Sequence, residues 1–414
     1  MTRKKPELLA PAGNMEKLKM ALAYGADAVY LGGPAYGLRA QGGNFTRAEL
    51  VEAAALAHRQ GKKAYVTVNV YPRNEELADL PDYLRFLRDI PVDAALVADL
   101  GVFSLAREEA PGLPLHVSTQ ANAVNWAAVE AWRRLGAARV VLAREMSLAE
   151  IREVRQRVPV ELEMFVHGAM CISYSGRCLM SSYFTGRDSN RGNCAQACRW
   201  RYQLMEEKRP GQFFPVEEDG RGTYFFNSKD LCLLPRLAEV LESGVDSLKI
   251  EGRMKSVHYV ASVTWTYRQA IDRYFENPAA FAADPAWRDE LDKVSHRAYT
   301  TGFTFGPPAA EDQIYGASSY IRTSDFVGLV REYDAASGWA LVEQRNHMAV
   351  GEEIEVFQPG RPAFRQILEE MTDEGGEPIS AAPHPQQMVR IRLRQPAAAL
   401  AILRRDTKGK EAEE

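Results

Sequence analysis

Five cysteines lie close together in one segment of the chain. They occupy 62 of its 414 residues, and the rest of the sequence has no cysteine: Cys171, Cys178, Cys194, Cys198 and Cys232. Gaps of six, fifteen and three residues separate the first four. Structural zinc sites instead take their ligands as closely spaced pairs. The spacing is compatible with an iron-sulfur cluster held by thiolates from several loops, although zinc could use the same thiolates. The segment therefore predicts a metal centre, and because four ligands suffice, one cysteine is spare.

The rest of the composition places these thiols in a reducing compartment. The chain is 46% hydrophobic and 26% charged, and its basic N-terminus is not followed by the apolar run of a secretion signal or a membrane span. We expect a cytoplasmic protein with no membrane partner, where clustered thiols bind metals more often than they form disulfides. The net charge of −4 gives no overall attraction to nucleic acid, so an RNA partner would need a local basic patch.

A repeating pattern of apolar runs and amphipathic segments must position these residues. Eight short apolar runs are separated by segments with helical spacing, which is typical of βα units around a parallel sheet. The runs cover residues 7–12, 28–33, 63–70, 94–99, 114–120, 138–145, 160–168 and 246–253. Eight such units match a (β/α)8 barrel. An open doubly wound sheet is the alternative, but no glycine-rich phosphate-binding motif follows any run.

The spacing of the runs also divides the chain into parts. The predicted barrel covers residues 1–277 and contains a cysteine-rich insertion at 171–245, between strands seven and eight. Residues 278–320 connect it to a small all-β barrel domain at 321–405, and residues 406–414 form a charged tail. The run MVRIRLR places Arg390, Arg392 and Arg394 on one strand face, which could bind RNA. The alternatives for this domain are a structural module or a dimerisation surface.

Polar residues end several predicted strands, where a barrel presents its active site. They are Asn69, Asp99, Gln120, Glu145, His167 and Glu251. We take His167, Glu145 and Glu251 as candidate catalytic groups. His167 could act as an acid or base, bind a metal, or be structural. Glu163 is expected on the same strand face as His167, where it would orient the imidazole or form a polar layer of the barrel.

Long stretches of the chain resemble peptidase family U32. The resemblance rests on ELLAPAGNMEKLKMALAYGADAVYLGG, EMFVHGAMCISYSGRCLMS, RDSNRGNCAQACRW, NSKDLC and SLKIEGRMKSVHYV, and more weakly on RNHMAVGEEIEVF in the β-domain. The family includes iron-sulfur enzymes that hydroxylate RNA or ubiquinone precursors. Within it, the chain looks most like the prephenate-dependent tRNA uridine hydroxylases, which implies 5-hydroxyuridine formation at the wobble position with prephenate as hydroxyl source. The resemblance implies a 4Fe-4S cluster on Cys171, Cys178, Cys194 and Cys232, with Cys198 as an alternative ligand or a residue beside the cluster.

A dicarboxylate such as prephenate needs cationic partners. Arg144, Lys249 and Arg253 lie near the ends of predicted strands six and eight, and they are our candidate anchors. The alternative is that they are structural ion-pair partners of Glu145 or Glu251.

The insertion itself is basic and aromatic. Residues 171–201 contain five arginines against one acid, Asp188: Arg177, Arg187, Arg191, Arg199 and Arg201. Four aromatic residues are interleaved with them: Tyr174, Tyr183, Phe184 and Trp200. Arginines contact phosphates and aromatic rings stack on unpaired bases, so this segment predicts an RNA-binding surface. The alternative is that it neutralises and shields an anionic cluster.

Other functions remain open at this level. Peptidase activity is disfavoured, because the sequence has no G-x-S-x-G or H-E-x-x-H motif and a cysteine protease needs one reactive thiol beside a histidine. The chain could instead hydroxylate a small aromatic ubiquinone precursor or an rRNA. It could also be a cluster-bearing subunit without chemistry of its own, acting with a paralogous partner or as a homo-oligomer.

Overall fold

A computed structural model describes residues 4–38, 43–171, 173–174, 177–189, 192–200, 203–205, 213–215, 227–307, 313–314 and 320–407. Its first strands are β1 (Glu7–Ala12), β2 (Ala28–Gly32), β3 (Lys63–Val68), β4 (Ala94–Val97), β5 (Leu115–Val117), β6 (Arg139–Val141), β7 (Glu161–Ala169), β8 (Gln203–Met205), β9 (Phe213–Pro215), β10 (Asn227–Ser228), β11 (Asp230–Cys232) and β12 (Ser247–Ile250). Strands β1 to β7 and β12 form a closed parallel barrel in which β12 pairs with both β1 and β7.

Helices alternate with the barrel strands. They are α1 (Met15–Ala23), α2 (Arg47–Arg59), α3 (Leu80–Asp89), α4 (Leu100–Glu109), α5 (Trp126–Leu135), α6 (Leu148–Arg157), α7 (Met180–Thr185), α8 (Leu237–Leu241), α9 (Val257–Glu276) and α10 (Pro285–Asp292). Capping boxes at Thr46 and Ser147 satisfy the free amides that begin α2 and α6. Within the described ranges, no helix is both long and apolar enough to span a bilayer.

Burial on both faces explains why the barrel strands are apolar runs without alternation. Every residue of β2 and of β4 is buried, because one face lines the barrel interior and the other packs against helices. The strands end where polar side chains begin to line an open space, so β5 and β6 stop well before the ends of the apolar runs that predict them.

The later strands form the C-terminal part of the chain. They are β13 (Tyr299–Thr300), β14 (Gln313–Ile314), β15 (Ser324–Asp334), β16 (Trp339–Gln344), β17 (Met348–Ala349), β18 (Glu353–Phe357), β19 (Phe364–Ile367), β20 (Met371–Thr372), β21 (Ala381–Ala382), β22 (Met388–Arg392) and β23 (Ile402–Asp406). Seven of them form an antiparallel sheet in the order β19-β18-β23-β15-β16-β22-β20. In the described residues its edge strands β19 and β20 do not pair with each other, so the domain is a half-barrel.

The predicted fold class is confirmed: a TIM-like barrel carries a C-terminal antiparallel domain with its own apolar core. The two parts also share a small apolar cluster that joins α1 and α9 to the sheet. In it, the Tyr24 hydroxyl donates a hydrogen bond to the Phe357 carbonyl oxygen at 3.0 Å. The half-barrel therefore packs on the helical side of the barrel.

Candidate active site

A cavity of about 570 Å³ opens at the C-terminal ends of the barrel strands. This is the end at which TIM barrels carry their active sites, and the volume is within the range of ligand pockets. Its polar lining includes thiols and a cation from the segment after β7, cations after β6 and in and after β12, one carboxylate after β12, and neutral polar groups in and after β3 and after β5.

Four thiols line this cavity. They belong to Cys171, Cys178, Cys194 and Cys198. Cys171 opens onto the cavity, yet the surrounding protein raises its thiol pKa, and the neighbouring Cys178 and Cys194 thiols raise it further. Arg144 acts in the opposite direction by favouring the thiolate. A loop amide, that of Gln196, donates to Cys194 Sγ at 3.3 Å.

The donor set of the cavity fits a metal centre, because thiolates are the preferred ligands of iron-sulfur clusters and of zinc. Among the described residues, no three cysteine, histidine, aspartate or glutamate side chains converge as a formed metal site. The lining of the cavity thus contains thiols that are suitable metal ligands. Three of the four predicted ligands are among them, together with Cys198, which the sequence leaves as the spare.

The fourth predicted ligand, Cys232, lies elsewhere. It is 3% exposed at the end of β11, which pairs antiparallel with β7 so that Cys232 is opposite His167. Burial raises the pKa of its thiol, and the Tyr267 hydroxyl lies 4.0 Å from its sulfur. The structure does not bring Cys232 to the lining of the cavity.

A bulge in β7 turns the His167 side chain toward the same buried region as Cys232. Phe165 is opposite Lys249 of β12, but the next residue of β12, Ile250, is opposite His167, so Val166 is an extra residue. An extra residue reverses the alternation of side chains along a strand. His167 therefore leaves the face that carries Phe165, contrary to the expected periodicity.

His167 is sealed among aromatic rings outside the cavity. It is 1% exposed, and the rings of Tyr259, Tyr267 and Tyr299 surround it. Burial lowers its pKa to about 3, so the imidazole is neutral at pH 7. Its Nδ1 lies 3.5 Å from the Tyr267 hydroxyl. His167 does not line the cavity, so the structure separates this candidate acid or base from Glu251, which does.

The three predicted anchors do come together at the cavity: Arg144, Lys249 and Arg253. The Arg253 guanidinium donates to Thr67 Oγ1 at 3.3 Å and to Asn44 Oδ1 at 2.6 Å. The Arg144 guanidinium lies 3.9 Å from the ring centre of Phe165. Burial lowers the pKa of Arg144, whereas the Glu251 carboxylate beside it raises the same pKa.

Lys249 has a partner deeper in the barrel. Its ammonium group donates to Glu163 Oε1 at 2.8 Å, and Glu163 Oε2 accepts from Arg139 at 3.0 Å. Glu163 is fully buried; burial alone would raise its pKa, but Lys249 and Arg139 lower it to about 2. Glu163 therefore forms a polar layer of the barrel and does not orient His167.

The two candidate carboxylates differ. Glu251 lines the cavity, whereas Glu145 does not. Burial raises the pKa of Glu145, and its Oε2 atom has no hydrogen-bond partner within the described chain. Asp99 also stays outside the cavity, since its carboxylate caps α4 by accepting from the Val102 amide at 2.9 Å.

Some residues that line the cavity were not identified from the sequence, because they belong to no recognisable motif. Lys255 lines the cavity beside the ring of Tyr320, and its ammonium group donates to the Ser295 carbonyl oxygen at 2.9 Å. Ser118 and Thr67 line it as well. The position of Lys255 just after a barrel strand is the one clue that could have identified it.

The predicted RNA-binding surface is partly described. Arg187 lines the cavity, and Arg177 lies beside the Tyr71 hydroxyl. Arg191, Arg201 and the side chain of Arg199 lie outside the described residues. All four interleaved aromatic residues are exposed, at 47–85% of their surface: Tyr174, Tyr183, Phe184 and Trp200. Exposed aromatic side chains in one segment are typical of an interaction surface.

The arginines of the MVRIRLR run, in and just after β22, are less available for RNA. Arg390, Arg392 and Arg394 are exposed on one face, as their spacing predicts. However, Arg392 lies 3.6 Å from a Glu370 carboxylate oxygen, and Arg394 forms an ion pair with Glu369. Neighbouring acids thus neutralise much of this positive charge.

Comparisons with known proteins identify related sequences along most of the chain. The model of peptidase family U32 matches residues 13–314, and that of the peptidase family U32 C-terminal domain matches residues 322–404. The tRNA hydroxylation protein P1 of Bacillus subtilis is 46% identical over 94% of this chain and 92% of its own length. The tRNA hydroxylation protein P of Escherichia coli is 38% identical over 92% of each chain. A 23S rRNA 5-hydroxycytidine synthase of Escherichia coli is 35% identical over 72% of this chain and 45% of its own length.

Proposed function

Because the chain belongs to peptidase family U32, we propose that it hydroxylates tRNA, converting the wobble uridine to 5-hydroxyuridine with prephenate as the hydroxyl source. The observation that carries this proposal is one cavity that joins four thiols and a cluster of cations. The segment that supplies the thiols also carries four exposed aromatic side chains. Two relatives that match nearly the whole chain are named as tRNA hydroxylation proteins, which supports the choice of tRNA.

The cations would bind the dicarboxylate. Arg144, Lys249, Arg253 and Lys255 all reach the cavity, and guanidinium and ammonium groups form strong charge-assisted hydrogen bonds with carboxylates. Lys249 and Arg253 are each about 4% exposed and have fixed protein contacts, so little side-chain freedom is lost on binding. Glu251 lines the same cavity and is the carboxylate that could move a proton there.

The basic and aromatic segment at 171–201 would hold the RNA. Arg177, Arg187, Arg191, Arg199 and Arg201 would contact phosphates, and the exposed rings beside them would stack on an unpaired base. An anticodon loop offers unpaired bases of this kind, whereas a paired base would first have to leave its helix.

Cys171, Cys178 and Cys194 would hold a 4Fe-4S cluster, with Cys198 or Cys232 as the fourth ligand. Such a cluster supplies one-electron transfer when it is bound. The lining of the cavity favours Cys198 as this ligand, whereas the family resemblance favours Cys232. Metal analysis after anaerobic purification separates them: of Cys198→Ser and Cys232→Ser, the variant that loses iron identifies the ligand. A colourless wild-type protein with stoichiometric zinc would contradict the cluster.

Peptidase activity finds no support in the described residues. One histidine and one cysteine lie opposite each other in a strand pair, His167 and Cys232, and both are almost fully buried. Burial shifts both pKa values toward the neutral forms, the opposite of a protease thiolate–imidazolium pair.

Mass spectrometry of tRNA nucleosides tests the proposal. Deletion of the gene and its paralogues should abolish 5-hydroxyuridine derivatives, and the wild-type chain should restore them in a host that makes prephenate. Arg144→Gln should reduce the restored level by about 10–100-fold, since a charged hydrogen bond contributes about 1.5–3 kcal/mol. Arg236→Gln is the control, because Arg236 pairs with Glu239 outside the lining of the cavity. Persistence of the modified nucleosides in the deletion strain would contradict the proposal.

A further inference from the structure

Three neutral polar side chains form one side of the cavity. Asn69 follows β3, and Ser118 and Gln120 follow β5. In a closed barrel of eight strands, these strand ends lie on either side of β4, across from β12 with its cations. We call Asn69, Ser118 and Gln120 the neutral wall.

A chain of hydrogen bonds fixes the orientation of both amides in the neutral wall. The backbone amide of Leu38 can only donate, and it donates to Asn69 Oδ1 at 3.2 Å. The NH2 group of Asn69 must then point the other way, and it donates to Ser118 Oγ at 3.3 Å and to Gln120 Oε1 at 3.2 Å. The Ser118 hydroxyl donates to the same Gln120 Oε1 at 2.5 Å.

These bonds leave Gln120 with one orientation. Two donors occupy its Oε1 atom, so its Nε2 group is the part of the amide that remains to bind something else. Nε2 has no hydrogen-bond partner in the described part of the chain. Asn69 and Ser118 are buried, at 7% and 3% exposure, so the support behind Gln120 is rigid. The cavity therefore contains a fixed, neutral hydrogen-bond donor.

We infer that Gln120 Nε2 binds a carbonyl oxygen of the substrate, and that it selects a base with a carbonyl group at C4 over one with an amino group there. This inference rests on the proposed function. Carboxylates are better served by the cations, whereas a neutral donor binds a neutral acceptor without the cost of burying a charge. Uracil offers an acceptor at C4, and cytosine offers a donor that would face the NH2 group of Gln120. The keto group of prephenate is a second source of the same acceptor.

Two substitutions at Gln120 test the donor. Gln120→Met removes it at similar size, and the preference for uridine over cytidine at the target position of an anticodon stem-loop should fall about tenfold. Gln120→Glu keeps the oxygen that accepts from Asn69 and Ser118 but places a second oxygen in the cavity. This variant should prefer cytidine. Asp99→Asn is the control, since Asp99 also follows a barrel strand but caps α4 outside the lining of the cavity.

Equilibrium binding of both stem-loops and of prephenate is the measurement, with a melting curve for each variant. Loss of the uridine preference in Gln120→Met supports the inference. Weaker prephenate binding with an unchanged uridine preference would mean that the donor binds the keto acid, and it would overturn the selection of the base. Folded Gln120→Met with unchanged binding of all three ligands overturns it. Because binding is measured without turnover, a wild type that binds with this preference but forms no 5-hydroxyuridine would contradict the proposed function alone.

Discussion

The two faces of β7 show how one inserted residue decides what neighbouring side chains can do. On the inner face, Glu163 is ionised because two cations surround it. Beyond the bulge at Val166, His167 has no cation or anion in hydrogen-bond contact within the described chain and stays neutral. The same strand thus carries a fixed charge toward the barrel interior and an uncharged ring toward α9.

Two buried histidines predict acid sensitivity. Burial lowers the pKa of both His116 and His167 to about 3, below the value of about 6.5 in an unfolded chain. As pH falls below about 6.5 the unfolded state binds protons that the folded state does not, so stability is full above this pH and is lost down to about pH 3. Each histidine should contribute a loss of about 1.4 kcal/mol per pH unit within this window.

Urea midpoints measured from pH 7 to pH 4 check this expectation. His116→Phe and His167→Phe should each flatten the decline, because the ring is kept and the titrating group is removed. His384→Asn is the control, since His384 is exposed. If the two phenylalanine variants declined as steeply as the control, the buried imidazoles would not be the cause.

At the scale of elements, the end of β7 depends on one glycine. Gly168 has a φ of +113°, and a Cβ atom there would lie 2.6 Å from the Glu251 carbonyl oxygen. Gly112 has a φ of +91° in an exposed loop, and a Cβ atom there would meet nothing within 4 Å. At both positions an alanine would have a strained backbone conformation, but only at Gly168 would its Cβ atom also lack room.

Gly168→Ala should be more destabilising than Gly112→Ala by about 1–3 kcal/mol, the usual cost of overpacking. It should also reduce hydroxylation, because relief of the clash displaces Glu251 at the cavity. Thermal melts and the nucleoside assay check both effects. Equal melting temperatures of the two variants would mean that the Glu251 backbone moves aside at no cost in stability. Full activity in Gly168→Ala would mean that this movement does not affect the cavity.

The elements also explain what the sequence could and could not predict. All eight barrel strands were predictable, because strands buried on both faces are continuous apolar runs. Arg144, Lys249 and Arg253 were brought together as expected, since the ends of parallel strands meet at one end of a barrel. The positions of His167 and Cys232 could not be predicted, because they depend on pairing between distant segments. His167 follows a bulge in β7, and Cys232 lies in a strand that pairs antiparallel with β7. Neither feature has a local signal.

At the scale of the whole molecule, one buried arginine links the barrel to the half-barrel. Arg404 of β23 is 1% exposed, and its guanidinium donates to both carboxylate oxygens of Glu290 in α10 at 2.6 Å. It also donates to Glu355 Oε2 of β18 at 2.7 Å. Burial alone would raise the pKa of Glu355, but Arg404 and Lys293 lower it to about 2. A cation from one part of the chain therefore satisfies carboxylates from both.

Removal of this cation should weaken the association of the two parts. Arg404→Met keeps most of the volume but leaves the buried Glu290 and the half-buried Glu355 without their main partner, which typically costs about 3–5 kcal/mol. Because each part has its own apolar core, calorimetry should then show two separate unfolding transitions. Arg365→Met is the matched control: Arg365 is exposed and, among the residues that the structure describes, forms ion pairs only within the half-barrel, with Glu353 and Asp406. It should change stability by less than about 1 kcal/mol. A single transition in Arg404→Met, at the temperature of the control, would mean that the shared apolar cluster alone holds the two parts together.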